Sequence, residues 1–175
     1  MASPPTKTDE SNAAKIARGL VAGVIAGAVA SFAMDRFQAA ASPLLPSGGS
    51  NSEPATEKAA NVITTGITGY AIPDADKPLA GQAVHYAVGI ALGAAYGIAA
   101  EFRPSVTLGF GTAFGLGTAT ILDEAAVPAT GLGSPPWEAG IASNLYSYAS
   151  HLVFGGVSEI VRQQVAGTLT PQQVG

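Results

Sequence analysis

The chain contains no cysteine. Disulfides, thiolate metal sites and cysteine nucleophiles are therefore excluded, and the redox compartment stays open. Charge is scarce as well: 11% of the 175 residues are Asp, Glu, Lys or Arg, where soluble domains carry about 25%. A chain this short of charge cannot cover a water-facing surface in the usual way. Its eight Lys and Arg residues stand against twelve Asp and Glu, for a net charge of -4. No basic patch is available to neutralise phosphates, so nucleic acid is not expected as a partner. Recognisable catalytic motifs are also lacking. The Gly109–Gly117 stretch has GxGxxxG-like spacing, but no strand precedes it, and a nucleotide loop needs one. Ser134 has no paired base at a known spacing, and no Walker, kinase or hydrolase motif appears. No catalytic residue is assigned, and a non-enzymatic role is expected.

What the chain does have is apolar length. It is 47% hydrophobic with 22 glycines, and its mean hydropathy is +0.31. A membrane-spanning helix needs roughly 20 mostly apolar residues. Four runs meet or approach this: Gly19–Met34, Leu79–Ala100, Ser105–Leu122 and Ala139–Ser158. The fold class expected is all-α, a polytopic four-transmembrane-helix bundle, with helices over about 15–37, 79–101, 105–127 and 139–163. These form one membrane domain over 14–165. A disordered tail precedes it over 1–13, a long outer loop fills 39–78, and a short tail follows over 166–175. The loop opens with Pro43, Pro46, Gly48 and Gly49, and Pro54–Thr65 within it has the pattern of a short helix. Trp137, after Pro135 and Pro136, fits an interfacial anchor. The alternatives are a soluble Ala/Gly-rich bundle, which would need a charged outer face, and a cleaved signal peptide ending near Ala39–Ala41. Asp35 and Arg36, between apolar run and cleavage site, count against the second. Lys7, Lys15, Arg18, Arg103 and Arg162 fall on one side of a four-span arrangement. This bias places both termini in the cytoplasm.

Small residues recur every four positions on each run. The series are Gly19, Gly23, Gly27, Ser31, Asp35; Gly81, His85, Gly89, Gly93, Gly97, Glu101; Gly111, Gly115, Ala119, Asp123; and Ser143, Ser147, His151, Gly155, Glu159. Residues four apart share a helix face, and small ones at this spacing let helices approach closely in lipid, as in a glycine zipper. The polar residues sit in the same stripes, so they should face the bundle interior. Asp35, His85, Asp123 and His151 fall in the outer half. Glu101 and Glu159 fall at the inner ends, within reach of Arg18, Arg103 or Arg162 as interfacial ion pairs.

Ionisable groups inside a membrane are costly and often functional. A cluster of His85, Asp123 and His151, with Asp35 nearby, could move protons or sense pH, because histidine titrates near neutrality. The same His85, His151 and Asp123 could ligate a divalent metal such as zinc, and two histidines on facing helices could hold a haem. The plain structural reading is that each histidine hydrogen-bonds a neighbour and stitches helices together. A proton response or cation binding is the leading expectation. A metal- or haem-binding membrane protein, and an accessory subunit of a larger complex or homo-oligomer, are the alternatives. The order acid, histidine, glutamate runs twice, through Asp35, His85, Glu101 and then Asp123, His151, Glu159, which hints at a two-hairpin repeat.

Particular residues of the second half carry a family resemblance. These are His85, Tyr96 and Glu101, then Pro128, then Pro135-Pro136-Trp137-Glu138, and finally His151-Leu152-Val153, Ser158-Glu159-Ile160 and Arg162. Over roughly Gly81 to Val165 the chain resembles the YagU-like family of uncharacterised bacterial inner-membrane proteins. It departs from the family pattern at Asp123, where a histidine is expected, and at Ser150, where a glycine is expected. The resemblance implies an inner-membrane location and four spans, and supplies no reaction.

Overall fold

A computed structural model describes residues 10–44 and 53–170, and these are helical with no strand. The segments expected as outer loop and tails fall partly outside, at 1–9, 45–52 and 171–175.

Helix α1 (Asn12–Ala41) starts where Ser11 Oγ accepts a hydrogen bond from the Ala14 N–H at 3.2 Å. That cap satisfies an otherwise unpaired donor of the first turn. The helix outruns its apolar core at both ends, because Asn12–Ala14 and Ala39–Ala41 add alanine-rich turns. Helix α2 (Ala55–Thr68) carries Glu57 in its first turn, where a carboxylate complements the helix dipole. It stops at Gly69, whose left-handed φ of 78° lets its N–H reach Thr65 O at 2.9 Å. Helix α3 (Lys77–Phe102) has Pro78 in its first turn and ends just before Pro104.

The run expected as one helix over 105–127 is not continuous. A 3-10 helix over Pro104–Thr107 comes first, then Gly109, Phe110 and Gly111 take φ of 63°, 59° and 82°. Three successive left-handed residues cannot continue a right-handed helix. Helix α4 (Thr112–Thr118) starts after them, passes into a π-helix over Ala119–Ala126, and closes with α5 (Val127–Ala129). Pro128 sits just beyond the π stretch. Its ring clashes with the carbonyl four residues back and it offers no N–H, so the helix leading to it is loosened. The short α6 (Pro136–Ala139) precedes α7 (Ile141–Leu169). The last helix thus covers 166–169, which the sequence reading assigned to a tail.

α1 lies between α3 and α7; α4 packs on α7 and α2 on α3. The interior is made of small side chains. Ala22, Ala26 and Ala30 are completely buried, and buried Met34 and Phe154 form a cluster with Ala30 against which the partly buried Leu92, Phe114 and Val157 pack. The bulky aliphatic and aromatic residues of α1 (Leu20, Val21, Val24, Ile25, Val29 and Phe32) point outward. By length and composition, two described helices can cross a membrane, α1 and α3. The glycine break shortens α4, and α7 carries His151, Glu159 and Arg162 along its length.

Candidate functional site

The four-residue stripes meet in pairs. Gly19, Gly23 and Gly27 of α1 run antiparallel against Gly97, Gly93 and Gly89 of α3. A Cβ placed on Gly19 would sit 2.6 Å from Gly97 O, and one on Gly93 would sit 2.6 Å from Gly27 Cα. Gly111 and Gly115 meet α7 at Gly155 and the His151 carbonyl in the same manner. No side chain fits between these backbones, so glycine is what permits both approaches.

Toward the N-terminal end of α1 the chain closes with ion pairs. Arg18 binds Glu101 across the α1–α3 interface and reaches Glu10 at 2.5 Å. On α7, Glu159 is 1% exposed. It accepts from Arg162 Nε at 2.8 Å, Arg162 Nη2 at 2.7 Å, Gln163 Nε2 at 2.7 Å and the Tyr96 hydroxyl at 2.7 Å. A buried carboxylate needs such saturation. Tyr96 also stacks on Phe114 with centroids 4.2 Å apart, tying α3 to α4. The spacing of Glu159 and Arg162 on one helix made that pair visible in sequence. Gln163 was not singled out there, and Tyr96 stood only among the residues of the family resemblance, with no link to Glu159.

At the other end lies a cavity of about 600 Å³. The end of α1, the start of α2, the first half of α3, the π-helix and α7 wall it. Asp35, His85, Asp123 and His151 all line it, but they do so as two pairs. His85 Nε2 lies 3.3 Å from Asp35 Oδ1, too poorly aligned to form a hydrogen bond, and that buried nitrogen has no other partner. The second Asp35 oxygen accepts from Gln82 Nε2 at 2.5 Å. On the opposite wall His151 Nδ1 lies 3.5 Å from Asp123 Oδ2 and 3.1 Å from Ser147 O. Ser147 Oγ donates to the same Asp123 oxygen. A backbone carbonyl only accepts, so the neutral imidazole of His151 carries its proton on Nδ1, leaving Nε2 as the basic nitrogen. Asp123 is delivered by the π-helix, a distortion that recurs at functional sites.

Among the described residues no three His, Asp or Glu side chains converge into a set able to hold a metal ion. The grouping of His85, His151 and Asp123 as a ligand triad therefore has no counterpart in this geometry. His85 stands with Asp35, while Asp123 stands with His151. Gln82 and Glu57 of the wall were not singled out in the sequence, and Ser31 stood there only as a member of the small-residue stripe of α1. Glu57 approaches α3 because Gly81 leaves room; a Cβ there would meet Glu57 Cγ at 2.6 Å.

The class defined by these observations is an all-helical protein in which two described helices are long and apolar enough to span a membrane, with a largely apolar cavity whose lining includes two His and two Asp. Residues 50–160 match the family of proteins of unknown function DUF1440, and the chain belongs to that family. The matched residues include His85, Asp123, His151 and Glu159, while Asp35 and Arg162 lie outside them. No curated protein and no solved structure matches the chain.

Proposed function

We propose that the chain is an integral membrane protein of the bacterial inner membrane, YagU-like, whose cavity responds to protons through two His–Asp pairs. Four spans with both termini in the cytoplasm fit the Lys and Arg bias. The distribution of side-chain size supports the membrane: α1 buries alanine and glycine and turns valine, isoleucine, leucine and phenylalanine outward. That arrangement is costly in water and favourable in lipid, where close backbone packing replaces the hydrophobic effect as the force between helices.

The observation that carries the proton reading is that both histidines and their aspartates line one cavity. Each pair sets an imidazole beside a carboxyl group. Protonating His85 and His151 turns each into an ion pair and removes the net negative charge of those two pairs. Divalent metal binding is less well supported, since the carboxylates are dispersed over the wall and do not converge.

The test is the melting temperature of the purified protein in mild detergent between pH 5 and 8, beside His85→Gln/His151→Gln. Each histidine can contribute at most about 1.4 kcal/mol per pH unit. Wild type should show a pH dependence that the double variant loses. Parallel curves would refute the proton reading.

A further inference from the structure

The walls of the cavity carry charge of one sign on an apolar background. Asp35, Glu57 and Asp123 line it, and no Lys or Arg is among its described lining residues. Three basic residues adjoin lining residues in sequence: Lys58 follows Glu57 on α2 without lining the cavity, and Arg36 and Lys77 are engaged elsewhere. Arg36 lies over the Phe32 ring, 5.4 Å from its centroid, and Lys77 binds Glu53 at 3.2 Å and Asp74 at 2.8 Å. Asp35 and Asp123 meet Gln82, Ser147 and two imidazoles, and among the described residues neither forms a salt bridge with a Lys or Arg. Most of the remaining wall is apolar, including Met34, Val88, Leu92, Leu122 and Phe154. A second polar feature is independent of the carboxylates. Ser31 is completely buried, lines the cavity, and its Oγ has no hydrogen-bond partner. A buried hydroxyl without a partner marks an unmet polar requirement.

From these observations we infer that the cavity binds a monovalent organic cation with an apolar body, such as a lipophilic amine, quaternary ammonium or phosphonium. The inference rests on the reading of this cavity as the functional site, and it names the ligand class. A bare metal ion needs several oxygens converging on one point, whereas these carboxylates are spread around the wall. A bulky cation with diffuse charge gains from each carboxylate at a distance and from the apolar wall by contact. The Phe154 ring can also face it. A volume of about 600 Å³ lies in the range of small-molecule sites.

The experiment is equilibrium dialysis of the full chain in mild detergent with tetraphenylphosphonium, using tetraphenylborate as the probe of equal shape and opposite charge. Saturable binding of the phosphonium at one site per chain is expected, without saturable binding of the borate. Asp35→Asn, Asp123→Asn and Glu57→Gln should each weaken it roughly five- to tenfold. Should an aspartate variant fail to fold, Glu57→Gln on the short helix α2 carries the comparison. Absence of saturable binding, equal binding of both probes, or three carboxamide variants with unchanged Kd would overturn the inference. The proton reading is judged separately, by ligand-free melting. A His-dependent pH response without phosphonium binding refutes only the ligand class. Charge-selective binding with a flat pH response refutes only the proton reading.

Discussion

Gly155 and Gly156 are neighbours on α7 that should answer oppositely to the same substitution. A Cβ on Gly155 would lie 2.8 Å from Gly115 N and 2.9 Å from Gly115 Cα. Relaxed contacts between such atoms need about 3.5–4.0 Å, so α4 and α7 must part by roughly 1 Å in Gly155→Ala. The neighbour that must yield is backbone, with no side chain to rotate away. Overpacking of this kind costs about 1–3 kcal/mol. A Cβ on Gly156 meets nothing within 4 Å, and replacing a helical glycine by alanine gains about 0.5–1 kcal/mol. The two variants should therefore differ by about 1.5–4 kcal/mol, which for a chain of this size is roughly 3 °C or more in Tm. Gly115→Ala and Gly117→Ala form a second such couple on α4, since Gly115 faces the His151 carbonyl and Gly117 meets nothing within 4 Å. Thermal unfolding in mild detergent reads all four. Equal effects at Gly155 and Gly156 would refute the close approach of α4 to α7.

The buried Glu159 network makes a graded prediction. Glu159→Ala leaves Arg162 and the Tyr96 hydroxyl without their acceptor and should cost about 3–5 kcal/mol, while Tyr96→Phe removes one bond and should cost about 1 kcal/mol; denaturant unfolding that ranks them the other way would contradict the network. Because the chain has no cysteine, single cysteines report sidedness directly. With the proposed topology, Ser11→Cys and Ser105→Cys should resist an impermeant thiol reagent applied outside intact cells, and Thr130→Cys should react.

Helicity and helix faces were legible in the sequence because both depend on local spacing. A four-residue step places Gly19, Gly23 and Gly27 on one side of any helix they share, and the partner face on α3 has the same step. The break at Gly109–Gly111 was hidden, since glycine in an apolar run reads equally as a packing residue or as a left-handed turn. The π-helix over Ala119–Ala126 had no signal beyond Pro128. Pairing was the other hidden quantity. Helical spacing says that His85 and Asp123 face inward. It cannot say which carboxylate meets which imidazole, because that depends on how α1, α3, α4 and α7 are arranged. The structure pairs His85 with the helix two elements before it in sequence and His151 with the π segment.

The same arrangement explains why a cavity exists at one end. From Gly19 to Gly27 α1 is locked against α3 by backbone contact, which leaves no room for a ligand. Beyond Ser31 the stripe on α1 changes to Met34 and Asp35, and on α3 it changes to His85. Side chains of that size hold the helices apart, and α2 packs on α3 where Gly81 admits Glu57. On the opposite wall the π-helix widens the turn that carries Asp123. The cavity is thus the place where the glycine register runs out on the α1–α3 side, while the loosened helix before Pro128 sets its opposite wall. A protein that needed only stable helix packing could have continued glycine or alanine through positions 35, 85, 123 and 151. Four ionisable residues there cost stability in any apolar surrounding, and all four line one cavity.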